Sequence, residues 1–205
     1  MDLHNRPLDC KRGKHADENV NIFDPFTGTG TFITRLIQSG LINRADLPRK
    51  YEREIFANEL VLLAYYIACV NIENAYHDAL ESGEYKPFEG IALTDTFQAW
   101  EENKAQRSLL DENSERVRRQ NAAPITVIFG NPPYSVGQKS ANDNAQNNSY
   151  PRIDKAIADS YAALSEAAKK NALYDSYIRA FRYSTDRLRG GGGIICFVSN
   201  GGFGK

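Results

Sequence analysis

Asn131-Pro132-Pro133-Tyr134 puts an amide, two rings without N–H groups and a phenol directly behind the apolar run Ile125, Val127, Ile128 and Phe129. The Asn131 side-chain oxygen and the Pro132 carbonyl are two acceptors held close together, and proline offers no competing donor. Two fixed acceptors match the two hydrogens of an NH2 group. Tyr134 supplies a flat face for a planar ring. Pro132 and Pro133 set the geometry in advance, which is how positioning lowers a barrier. The chemistry implied is transfer to an amine conjugated with a ring or carbonyl, with no Cys or Ser nucleophile. A rigid Pro-Pro turn at a strand end is the plainer alternative.

Three further polar positions have the same setting. Asp24-Pro25-Phe26-Thr27-Gly28-Thr29-Gly30-Thr31 runs from a strand through a glycine turn into a helix start, whose free N–H groups suit a carboxylate. The segment lacks the lysine of a phosphate-binding P-loop and the Gly-x-Gly-x-x-Gly spacing of dinucleotide sites. The terminal GGFGK, preceded by Ser199 where a glycine is needed, is no P-loop either. Glu59 closes a second strand, where a carboxylate can accept from two ribose hydroxyls; taken alone it reads better as a solvated acid at a helix start, where the dipole favours it. Asp95, followed by Phe97, closes a third, where an acid can accept from an adenine amine beneath an aromatic ring. A simple helix cap is as good a reading of Asp95 taken alone. Jointly, three successive strands end in residues suited to different parts of one adenosine.

The elements that must position these residues alternate. Val20–Phe23, Glu54–Ala57, Gly90–Thr94, Ile125–Phe129 and Ile194–Val198 read as strands. Helical patterns start at Thr31 and run over Leu60–Ala75, Gln98–Gln120, Ile153–Lys170 and Leu173–Leu188, with Gly40 as a stop. Repeated strand–helix–strand units predict an α/β fold, a doubly wound and mostly parallel sheet with helices on both faces. In such sheets ligands bind beyond the carboxyl ends of strands where the strand order reverses. Ser135–Tyr150 is polar and Asn-rich and is expected to be a mobile loop.

Composition sets limits. The 205 residues carry a formal charge of −1, so any nucleic-acid contact must come from a local patch or another domain. Cys10, Cys69 and Cys196 lie far apart, which argues against a disulfide framework and fits a reducing cytoplasm. His4, His15 and His77 form no ligand spacing, so no structural metal is expected. No stretch approaches the length of a membrane span, and the N-terminus is not a signal peptide.

Asp24-Pro25-Phe26-x-Gly28-x-Gly30-Thr31 followed by Asn131-Pro132-Pro133-Tyr134 resembles the amino-group DNA methyltransferases, specifically the N6-adenine enzymes. The resemblance implies the Rossmann-like methyltransferase fold and S-adenosylmethionine as cofactor. It implies that Asp24 through Thr31 hold the methionine part, Glu59 the ribose, and Asp95 with Phe97 the adenine, while Asn131 through Tyr134 hold a flipped target base beside the cofactor. Leu173-Tyr174 and the later RGGGGIICFVSN resemble the next segment of that family. The Asn-rich insertion after Tyr134 resembles the methylase part of large restriction-modification proteins that also carry a helicase. On this reading residues 1–19 are an N-terminal extension and 20–205 an incomplete catalytic core, stopping after strand five. DNA would be engaged through a target-recognition domain outside the chain. A cytosine-C5 enzyme is not expected, because no Pro-Cys nucleophile follows a strand. RNA N2-guanine and release-factor glutamine methyltransferases share similar Asn-Pro-Pro-Tyr segments and remain rivals, as does a catalytically silent module that binds cofactor or partner proteins.

Overall fold

The computed structural model describes residues 18–81, 84–102, 111–133, 150–165, 171–188 and 192–199. Within them β1 (Asn21–Asp24), β2 (Ile55–Glu59), β3 (Ile91–Leu93), β4 (Ile125–Gly130) and β5 (Ile194–Phe197) form one sheet in the order β3-β2-β1-β4-β5. Every pairing is parallel. The order reverses at β1, so the expected crevice lies between the carboxyl ends of β1 and β4.

Alternation along the strands divides the core. Ile22, Ile55, Ala57 and Val127 pack with Ile33 and Ile37 of α1 (Thr31–Gln38) and with Ala68 and Ile72 of α3 (Leu62–Leu80). Phe23, Phe56, Ile125 and Ile128 face the other way, onto Ile153 and Ile157 of α6 (Pro151–Ile157) and Tyr177 and Ile178 of α7 (Ser176–Arg187). Successive strand side chains point to opposite faces, which is how one sheet feeds two cores. Ile125 and Val127 would share a face in a regular strand. They part because the β1–β4 register slips beside Asn21, leaving Thr126 as an extra residue whose hydroxyl donates to the Asn21 carbonyl.

Between α1 and β2, α2 (Leu47–Arg49) passes into a π-helical turn, Lys50–Glu54. The edge strand β3 is covered by α5 (Asp111–Ala122): the Asn113 amide donates to the Leu93 carbonyl and accepts from its N–H, standing in for a neighbouring strand. The Gln98–Gln120 pattern resolves into α4 (Thr96–Glu102) and α5, with 103–110 outside the described residues. The described part of the expected helix from Ile153 to Lys170 is α-helical to Ile157 and continues as a π-helical turn, Ala158–Ala162, with 166–170 outside the described residues. The expected Leu60–Ala75 helix starts later and ends later, at Leu62 and Leu80. Its start is delayed because Glu59 Oε1 accepts from the Val61 N–H and holds that residue extended. The first half of α3, to Val70, is apolar all round, burying Ala68 while exposing Leu63, Tyr66, Ile67 and Val70. Among the described residues no helix is long and apolar enough to cross a membrane.

Candidate functional site

Each polar residue singled out by the sequence stands at a carboxyl strand end. Asp24 ends β1, Glu59 ends β2, Asp95 lies two residues beyond β3, and Asn131 follows β4. Tyr134, and 135–149 of the expected loop, lie outside the described residues.

Asp24 is fully buried. Its Oδ1 accepts from the Phe26 N–H at 3.1 Å, and its Oδ2 is buried without a partner. Burial raises the carboxyl to a pKa of about 7, the Phe26 N–H opposes that rise, and nearby Glu59 adds to it. A polar atom left unpaired inside a protein costs about 1–3 kcal/mol, which makes Oδ2 a candidate contact for a bound donor. Gly130 shows why β4 ends in glycine: a Cβ there would sit 2.7 Å from Asp24 Oδ1. The buried acid of β1 therefore touches the backbone that leads straight into Asn131. Asn131 and Pro133 are exposed at the rim and Pro132 is buried beneath them.

The turn after Asp24 is fastened from three sides. The Thr27 hydroxyl donates to the Asp24 carbonyl, the Thr27 N–H to the Asn58 carbonyl, and the Gly28 N–H to Glu59 Oε2 at 2.8 Å. The Asn58 amide donates to the Thr96 hydroxyl, which donates to the Pro25 carbonyl at 2.7 Å. Gly30 has φ +84°, and a Cβ there would press on Ala68 and Ile72 of α3 at 3.1–3.2 Å. Conformation and close helix approach both demand glycine at that position. α1 then starts at Thr31 with no side-chain cap and no acid in its first turn. Its first N–H groups are left for a ligand carboxylate.

Asp95 caps α4, its Oδ1 accepting from the N–H groups of Phe97 at 2.9 Å and Gln98 at 3.1 Å. Its Oδ2 accepts from the Tyr150 hydroxyl at 2.7 Å. The helix-cap reading of Asp95 is thus realised, and the acid remains only partly buried. Phe97 is 5 % exposed, with its ring against Phe26 at 5.4 Å and Tyr150 at 5.2 Å. It lies in an aromatic floor with Phe26, which also meets Phe197. Sequence reasoning gave no role to Tyr150, Asn58 and Thr96, the buried residues that tie these strand ends together. A lone aromatic closing a polar stretch before Pro151 was the only available sign of the first.

The residues fit a cationic nucleoside cofactor. An orphaned buried carboxylate oxygen, an uncapped helix start and a strand-end acid over the glycine turn are complementary to an ammonium, a carboxylate and a ribose. No lysine or arginine pairs with Asp24 or Glu59 among the described residues.

No protein-family model and no curated protein matches the chain. Solved structures do. One is a nuclease-deletion mutant of the Type ISP restriction-modification enzyme LlaGI with a DNA substrate mimic, 46 % identical over 91 % of this chain with a TM-score of 0.79. The DrdV–DNA complex is 47 % identical over 92 %, TM-score 0.82. The ATP-dependent Type ISP enzyme LlaBIII bound to DNA is 45 % identical over 92 %, TM-score 0.80. The chain is homologous to a segment of Type ISP restriction-modification enzymes, and its α/β fold, a parallel five-stranded sheet flanked by helices, is consistent with a Rossmann-like methyltransferase fold. It spans 16 %, 18 % and 13 % of the lengths of those three proteins.

Proposed function

We propose that this chain is the catalytic core of a cytoplasmic, site-specific DNA methyltransferase that moves a methyl group from S-adenosylmethionine to the exocyclic N6 amine of adenine, within a restriction-modification system. The observation that carries the reading is the contact between Asp24 and Gly130, which puts an orphaned acid beside the start of Asn131-Pro132-Pro133 at the reversal of strand order.

In this reading Asp24 and the start of α1 hold the methionine part of the cofactor, and Glu59 accepts from the ribose. Glu59 is already fixed by the Gly28 and Val61 N–H groups, yet a carboxylate has lone pairs left for hydroxyls. Asp95 accepts from the adenine amine with Phe97 in the floor beneath. Bound there, the cofactor supplies an electrophilic methyl group. The Asn131 side-chain oxygen and the Pro132 carbonyl accept from the target amine as it becomes positively charged, an interaction stronger in the transition state than before it. Tyr134 stacks on the extruded base. The homologous proteins described as bound to DNA favour DNA over RNA as the substrate.

The test is transfer of labelled methyl groups by the longer protein that contains this chain. Duplex DNA containing adenine should accept label, and DNA without adenine should not. Label entering guanine of RNA, or no substrate at all, overturns the reading.

A further inference from the structure

Tyr150 is 2 % exposed and joins two parts of the site that the sequence keeps 55 residues apart. The chain leaves the rim at Asn131-Pro132-Pro133 and is next described at Tyr150, where it is fastened to α4. Glu101 accepts from the Arg152 and Ile153 N–H groups at 2.8 and 2.9 Å, and Arg152 donates to the Trp100 carbonyl while its guanidinium lies 4.3 Å from the Trp100 ring centre. These contacts would be enough to seat α6. The Tyr150 hydroxyl does something further: it donates to Oδ2 of Asp95, whose Oδ1 is already committed to the start of α4.

Resting on the methyltransferase reading above, we propose that Tyr150 is a positioning residue for cofactor selectivity: through Asp95 it fixes the acceptor that reads the amine of the cofactor's purine. A carboxylate accepts and does not donate, so a purine presenting NH2 is favoured and one presenting a carbonyl is rejected. Discrimination requires the oxygen to stay where the amine arrives. The Tyr150 hydroxyl occupies one lone pair of Oδ2 and removes the carboxylate's freedom to turn away. Its ring is held against Phe97, with the Arg179 guanidinium 5.4 Å from its centre, which fixes where the hydroxyl oxygen sits.

The experiment compares binding of S-adenosylhomocysteine and S-inosylhomocysteine, in which a carbonyl with a proton on N1 replaces the 6-amino group, to the full chain by calorimetry. Wild type should prefer the adenosine compound. Tyr150→Phe keeps the ring and loses the hydroxyl; the preference should drop roughly tenfold, the scale of one hydrogen bond to a carboxylate. Arg152→Ala loosens the same junction without touching Asp95 and should leave the preference unchanged, which a merely structural role for the junction would not allow. Should Tyr150→Phe fail to fold, Tyr150→4-aminophenylalanine keeps a donor and should keep the preference, while Tyr150→4-fluorophenylalanine should lose it. An undiminished preference in the donor-free variants overturns the role of Tyr150 and leaves the methyltransferase reading standing. Failure of wild type to bind either compound overturns both.

Discussion

The two ends of the sheet treat buried charge in opposite ways. At the amino ends, Lys50 is fully buried and donates to Glu54 Oε2 at 2.7 Å and to the Val20 carbonyl at 2.8 Å. Glu54 also accepts from Arg49 and from the Asn19 N–H, and Arg49 pairs with Asp46. Burial pushes the Glu54 carboxyl up, but those partners outweigh it and hold it below the usual range. At the carboxyl ends Asp24 has one N–H and an unpartnered oxygen, and burial lifts its carboxyl to about 7. Balanced charge fastens the entry to β1 and β2 and asks for nothing more. Unbalanced acid at the exits is complementary to a positively charged ligand, and the proposed site is built on it.

The pH dependence of stability should show both ends with opposite signs. Glu54, held low, contributes stability that is present above the ordinary glutamate range and is lost as pH falls through its lowered value. Asp24, held high, contributes stability that is full below the ordinary aspartate range and is lost as pH rises toward about 7. Thermal melting of Asp24→Asn should therefore lack the decline between about pH 4 and 7 that the wild type shows. An unchanged profile would mean that Asp24 is ionised in the folded chain.

Substitutions at the two ends should separate stability from function. The largest effect on stability belongs to the amino end: Lys50→Ala empties a buried site, leaves Glu54 with only Arg49 and the Asn19 N–H, and takes the donor from the Val20 carbonyl, costing about 3 kcal/mol, read as a lower melting temperature. Cofactor affinity below the melting range should not change. Asn131→Ala comes next and acts on chemistry alone. Loss of one transition-state acceptor should slow single-turnover methylation by about 10²–10³-fold in the longer protein, with stability and cofactor affinity intact. Smaller still, Glu59→Ala should weaken cofactor binding by about 1–3 kcal/mol in a calorimetric titration. A loss of melting temperature as large as that of Lys50→Ala, with affinity unchanged, would make Glu59 a turn clamp for Gly28 and nothing else.

The difference between the ends also explains what could be read from sequence. Asp24, Glu59, Asp95 and Asn131 stood out because each follows an apolar run, and strand ends are where a parallel sheet exposes side chains to a ligand. Glycines at 28 and 30 marked the turn. The segment Pro48 to Glu54 gave no such sign: its alternating charges look like a solvated helix, and only the fold reveals that Lys50 is enclosed. The extra residue at Thr126 was invisible because slipped register depends on the neighbouring strand. Tyr150 was hidden by distance, since its partner Asp95 lies on another element.

Proton release on binding tests the central claim most directly. A cationic cofactor seated against Asp24 favours the ionised acid, so binding near neutral pH must expel the proton that burial retains. Calorimetric titration of the chain with S-adenosylmethionine, in buffers of different ionisation enthalpy, counts that proton. The wild type should release protons at pH 6 and progressively fewer as the pH rises above 7, while Asp24→Asn should bind more weakly and release none. Tight binding with equal proton release by both forms would show that the acid at the end of β1 does not meet the cofactor.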